Sequence, residues 1–225
     1  MDESCESYTS VVPLDHKTRK ELLVQGGDCI SGHDPATGGE LWRMDYNPER
    51  QTNWRLIPSP VTVGDLIVAG NPRGGPLLGI KAGGNGSLDP ASLAWTYDER
   101  TSDSGTPLVY QGMIYVMQSD KNDPWSKGGK SSTGIFLLVI DPATGKEAGR
   151  CKIAAGGAWR ASPTGADGKI HVMSEDGEVV VVSAGPNGKI LSRADYADGP
   201  ACATIAAANH CLWIRTASKL TCIAK

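Results

Sequence analysis

The stretch DPATGGELWR, Asp34 to Arg43, returns about a hundred residues later as DPATGKEAGR, Asp141 to Arg150. An Asp at the first position of a turn bonds its own backbone two residues on. Pro presets the next φ, and Gly leaves the turn at φ > 0. Asp34 with Gly38, and Asp141 with Gly145, supply that chemistry in the two copies. Each copy follows an apolar run and precedes a short strand-like run, so the unit reads strand, tight turn, strand. Two weaker copies fit the same slot: LDPASLAW (88–95), without the Gly, and AGPNGKILSR (184–193), without the Asp.

A second phrase recurs between these turns. It reads SPVTVGDLIVAG from Ser59, TPLVYQGMIYVMQ from Thr106 and SPTGADGKIHVMS from Ser162, with a degenerate form, TIAAANHCLWIRT, from Thr204. Each is a small residue, usually followed by Pro, then a short strand, a turn and an alternating strand. Pro60, Pro107 and Pro163 stand 47 and 56 residues apart, and Asp34, Asp89 and Asp141 stand 55 and 52 apart. A period of about 40–55 residues made of strands and turns is the mark of propeller blades.

The reading is therefore an all-β propeller of four-stranded antiparallel blades. Five units span 8–45, 57–97, 104–153, 159–195 and 201–225. The third carries a Gly-, Ser- and Lys-rich insert, 119–134, expected to be a mobile surface loop. KLTCIAK (219–225) aligns with GDCISGH (27–33), which leaves the last unit without an outer strand. The expectation is the C-terminal part of a larger propeller of seven or eight blades; the alternative is a five-bladed ring with imperfect closure. A fragment would expose unpaired sheet edges and self-associate edge to edge.

Composition narrows the function. A net charge of -3 gives no basic field for nucleic acid. No apolar run approaches the roughly 18 residues of a membrane span. The start, MDESCESYTS, is acidic and polar, unlike a signal peptide. Six cysteines, Cys5, Cys29, Cys151, Cys202, Cys211 and Cys222, form no C-x-x-C pair, so they read as buried strand thiols and not as zinc ligands. GGKSS (128–132) has Pro124 where a phosphate loop needs Gly. His16, His33, His171 and His210 show no metal-ligand spacing.

The repeat D-P-A-T-G-x-E-x-W resembles the pyrroloquinoline-quinone-like propeller repeat. The fuller phrases HDPATGGELWR, NWRLIPSPVTVGDLIVAG and RASPTGADGKIHVMSEDGEVVVV look closest to BamB-like propellers of planctomycete-type bacteria. The resemblance implies that Trp42, and near it Trp95, packs flat between neighbouring blades, with Gly149 and Ser192 in that place in the third and fourth units. It implies a periplasmic or cell-envelope location and a non-enzymatic scaffold that binds a protein or peptide. The quinone enzymes that share the repeat imply a vicinal Cys pair, a calcium held by Glu and Asn, and an Asp base. This sequence has no adjacent cysteines and no recognisable motif for that site, so neither pyrroloquinoline quinone nor calcium is expected. Two alternatives stay open: a quinone-dependent dehydrogenase completed by further blades, and a carbohydrate-binding propeller.

The segments leading into each innermost strand should lie together beside the axis. Two of them carry Trp-Arg, Trp54-Arg55 and Trp159-Arg160, and a third carries Asp103. Arg presents a planar fork to carboxylate or phosphate, and Trp a flat platform. These five residues are the candidate ligand contacts. The competing reading is interblade packing, with each Arg bonding a neighbouring backbone carbonyl.

Overall fold

The structure is a computed structural model that describes residues 6–17, 19–47, 55–120, 122 and 133–224. Among these residues the recurring phrases fold into five antiparallel meanders, each strand pairing with the next one of its own meander. The first sheet holds β1 (Val12–His16), β2 (Arg19–Gln25), β3 (Cys29–His33) and β4 (Glu40–Asp45). The second holds β5 (Val61–Val63), β6 (Leu66–Gly70) and β7 (Leu77–Lys81). The chain then crosses to the first sheet as β8 (Gly86–Ser87) and returns as β9 (Trp95–Tyr97). The third sheet is β10 (Leu108–Tyr110), β11 (Met113–Gln118), β12 (Ile135–Ile140) and β13 (Glu147–Ala154). The fourth is β14 (Thr164–Ala166), β15 (Lys169–Met173), β16 (Glu178–Ser183) and β17 (Ile190–Asp195). The fifth has three strands, β18 (Ala206–Ala208), β19 (Cys211–Arg215) and β20 (Leu220–Ala224).

The DPATG turns close as their chemistry dictates. Asp34 Oδ1 accepts the N–H groups of Ala36 and Thr37, each at 2.8 Å, and Gly38 leaves the turn at φ 71. These bonds, that from Thr37 first, hold the Asp34 carboxyl below its ordinary pKa. Asp141 accepts from Ala143 at 2.9 Å, and Gly145 has φ 66. The copy at 88–95 departs from this pattern. Its chain first pairs in parallel with the neighbouring sheet, Trp42 with Gly86 and Arg43 with Ser87. It then turns through a 3-10 segment, Pro90–Ser92, where Asp89 accepts from Ala91 at 2.8 Å. The insert at 119–134 falls outside the described residues except near its ends, where Asp120 accepts the Gly134 N–H at 2.5 Å.

The small residue that opens each second phrase ties the sheets together. The backbone N–H of Ser10 donates to the Ser59 hydroxyl at 2.9 Å, and that of Ser59 to the Thr106 hydroxyl at 3.1 Å. Thr106 N–H donates to Ser162 Oγ at 3.0 Å, and Ser162 N–H to Thr204 Oγ1 at 3.2 Å. An innermost strand has no neighbour in its own sheet on that side, so these N–H groups need partners elsewhere. The next unit's hydroxyl provides one. The innermost strands β5, β10, β14 and β18 accordingly lie beside one another in sequence order. This is the arrangement of blades about an axis.

Farther out, the sheets interlock face to face. One core cluster joins Leu14, Leu23, Ile30 and Trp42 of the first sheet to Ile67, Ala69, Leu78 and Ile80 of the second. Equivalent clusters join the second sheet to the third and the third to the fourth. Trp95 lies between Gly79 of its own sheet and Gly145 of the next; a Cβ on either would meet the indole at 2.4 Å. Its Nε1 donates to the Pro142 carbonyl of the next DPATG turn at 2.8 Å. Trp42 lies as closely against Gly32 of its own sheet, and it borders Gly84 at ordinary contact distance. Its indole N–H instead stays inside its own sheet, donating to buried Glu21 at 2.6 Å. In the third sheet Gly149 stands where the Trp would be, and the Pro186 turn of the fourth sheet moves into that space.

This close approach gives a test. A Cβ on Gly149 would lie 1.9 Å from the Pro186 carbonyl oxygen, whereas one on Gly156 meets nothing within 4 Å. Gly149→Ala should cost about 1–3 kcal/mol and lower Tm by several degrees. Gly156→Ala should leave Tm within about a degree, since surface changes of this kind are usually small. Differential scanning calorimetry of both variants checks the pair.

Candidate functional site

The segments that lead into the innermost strands meet at one end of the sheets. Ser7 bridges Leu56 in parallel, with Tyr8 N–H donating to the Leu56 carbonyl at 2.8 Å. The Ser7 and Thr9 hydroxyls both donate to the Gln25 carbonyl, at 2.8 and 2.7 Å. The next segment carries Arg55, whose Nη2 donates to Asp103 Oδ2 at 2.6 Å. Asp103 is 1% exposed, and its Oδ1 has no hydrogen-bond partner among the described residues. Its neighbour Ser104 donates its hydroxyl to the Arg160 carbonyl at 3.1 Å. The Arg160 side chain turns to Glu175, Nε to Oε1 at 2.7 Å. Residues 103–104 therefore touch both Arg-bearing segments, and a continuous line of contacts runs Arg55, Asp103, Ser104, Arg160, Glu175 across three units.

Each guanidinium has a carboxylate partner, Asp103 for Arg55 and Glu175 for Arg160. Residues 103–104 stand between the two Arg-bearing segments. Trp159 is not an open platform. It is 6% exposed and packs into the core between the third and fourth sheets with Tyr115, Ile153 and Ile170. It also borders a cleft of about 430 Å³ whose other walls include Asp176, Glu178 and Asp195. Trp54 lies outside the described residues.

The cysteines are less uniform than buried strand thiols. The five that are described are free: Cys29 is buried, Cys151 and Cys211 are half-buried, and Cys202 and Cys222 are exposed. Cys202 lies in a loop. Burial pushes the Cys29 thiol up to about 12, so it stays protonated and inert. Among the described residues, no three His, Cys, Asp or Glu side chains converge as a metal cage would require. Sequence reasoning missed Glu21, which lies behind Trp42, and Glu175, which holds Arg160. Their partners are 21 and 15 residues away, and no turn or repeat marks either residue.

No family model matches this sequence, and no curated protein sequence matches it. Solved structures do resemble the fold. The computationally designed Ika4 protein superposes with a TM-score of 0.57 at 11% identity, over 84% of this chain and 99% of that one. A europium-containing methanol dehydrogenase gives 0.55 at 12% identity, over 82% of this chain and 41% of the enzyme. BamB from Moraxella catarrhalis gives 0.45 at 15% identity, over 92% of this chain and 67% of that one. At such identities the likeness concerns the fold alone. The five meanders, with the two superpositions above 0.5, establish an all-β, propeller-type architecture.

The ion pairs differ in what they hold. Asp103 is buried and Glu175 is partly open. Removing Arg55 leaves the buried Asp103 carboxylate with little solvent to replace its partner, so Arg55→Ala should cost about 3 kcal/mol. Arg160→Ala should cost about 1 kcal/mol or less, as for pairs that water reaches. Urea unfolding of the two variants measures the contrast, and equal losses would show that the burial argument is wrong.

Proposed function

We propose that this chain is a non-enzymatic propeller scaffold that binds a protein or peptide at the end where Arg55, Asp103 and Arg160 meet. The observation that carries the reading is the line of contacts across three units, anchored on a buried carboxylate with one oxygen left over. Charged groups held in fixed positions on rigid strands can recognise a partner without ordering themselves first. The partner chemistry that suits this end is a polypeptide with hydrogen-bond donors for the Asp103 side and carboxylates for the arginine side. We infer that neither pyrroloquinoline quinone nor calcium takes part. The absence of adjacent cysteines and the donor set of the described residues support that view. A cell-envelope location and a BamB-like role belong to the same proposal, on the strength of the repeat phrases.

A photo-crosslinking residue at Ser104 should give a discrete polypeptide adduct in cells, and one at Lys146, on the outer DPATG turn, should not. Arg55→Ala or Arg160→Ala should weaken that capture about ten-fold or more while the fold persists, the worth of one charge-assisted hydrogen bond. A loss of stability with capture unchanged would leave these residues as packing. Turnover of a simple alcohol with added quinone and calcium would replace the scaffold by an enzyme.

A further inference from the structure

The turn that joins β15 to β16 reads SEDGE, Ser174 to Glu178. Gly177 leaves it at φ 95 and donates its N–H to the Ser174 carbonyl at 3.1 Å, which puts Asp176 at the exposed tip. From the third sheet the chain arrives through Gly156 and Gly157, on its way from β13 to Trp159. Between the two lies the cleft of about 430 Å³ that Trp159 borders. Its walls come from the third and fourth sheets alone, and each of these sheets has its four strands. The volume falls within the range of small-molecule sites, ~300–1,000 Å³, but the walls are polar where such sites are mostly apolar.

Two nearly buried donors in these walls are unspent. Trp159 is 6% exposed, and its Nε1 edge is turned toward Gly157, 3.6 Å from where a Cβ there would stand. No described residue accepts the indole N–H. Ser174 is 4% exposed; its Oγ accepts the Glu178 N–H at 3.0 Å, and no described residue takes its hydroxyl hydrogen. A buried donor without an acceptor is costly, so both ask for an oxygen in the cleft. Acceptors border the same space. Asp176 has no partner among the described residues, and Asp195 spends Oδ1 on the Ala197 N–H at 2.8 Å while keeping Oδ2. Glu178 is held by Arg193, Nη1 to Oε1 at 2.5 Å.

Three carboxylates against one guanidinium repel an anion. A lone cation would answer the carboxylates and leave both donors unmet. A hydroxyl donates and accepts at one oxygen, so a neutral polyol meets both sets at once. We propose that this cleft is a binding site for a neutral sugar, whose neighbouring hydroxyls donate to Asp176 and Asp195 and accept from Trp159 and Ser174. The indole face is packed in the core, so the sugar is held by hydrogen bonds at the indole edge and not by stacking. The site shares no residue with the Arg55–Asp103–Arg160 line, so either can fail without the other.

The probes are maltose, cellobiose, lactose and N,N′-diacetylchitobiose, each titrated into the isotope-labelled full chain while its indole N–H resonances are followed by NMR. Trp159→Phe removes one of these resonances and so assigns it. At least one sugar should shift that resonance saturably. Asp176→Asn should leave the fold intact, since the residue is exposed and unpartnered. It should weaken binding about ten-fold, as for one charge-assisted hydrogen bond. By calorimetry, Trp159→Phe should weaken the same sugar roughly five-fold, as for one neutral hydrogen bond. Lys146→Ala, on the outer DPATG turn, should change nothing. No saturable shift with any of the four sugars, or an affinity unchanged by Asp176→Asn, overturns the proposal. So does a tri-arginine peptide that shifts the same resonance at a lower concentration than every sugar, since the cleft would then be a cation site for a polypeptide.

Discussion

The structure depends on one repeated contact: a backbone N–H of one unit donated to the Ser or Thr hydroxyl of the next. Four such bonds run from Ser10 through Ser59, Thr106 and Ser162 to Thr204. Each joins residues 42 to 56 positions apart, the length of one unit. A meander of four strands cannot by itself set its distance from another meander. The hydroxyl ladder does so, because a hydrogen bond tolerates only a few tenths of an ångström of drift. Pro at 60, 107 and 163 keeps the preceding residue extended, so the donor and hydroxyl of each rung face adjoining units.

The outer contacts follow from that spacing, and they vary because the spacing no longer needs them to agree. Trp95 spans its junction and bonds the next turn, Trp42 turns its N–H inward to Glu21, and Gly149 gives way to the Pro186 backbone. All three close the same gap with different atoms. Apolar burial is non-directional, so many side chains can fill the space. A hydroxyl and an N–H must meet at a fixed distance, so the inner position stays Ser or Thr in every unit while the outer one drifts.

What the sequence made legible was local. The DPATG hairpins could be read because Asp34 and Asp141 bond residues two and three positions away. The Ser- or Thr-Pro phrases could be recognised as a repeat, but their hydroxyls' role could not, since each partner lies in another unit. The same distance hid Glu21 behind Trp42 and the pairing of Asp103 with Arg55. Trp159 misled for a related reason. Its pairing with Arg160 suggested a surface platform, yet the segment leading into the fourth sheet turns the indole into the core. The crossing of β8 to the first sheet carries no propensity signal, as two residues of Gly and Ser cannot announce a strand.

Amide hydrogen exchange tests the ladder most directly. The N–H groups of Ser59, Thr106 and Ser162 should exchange slowly, with protection near that of the central strands. Thr106→Val removes one acceptor hydroxyl at nearly constant shape, and it should speed exchange at Ser59 far more than at Thr106 or Ser162. Fast exchange at all three positions in the unaltered chain, or a Thr106→Val variant whose Ser59 amide remains as protected as before, would show that the units are held in place by something other than this chain of hydroxyls.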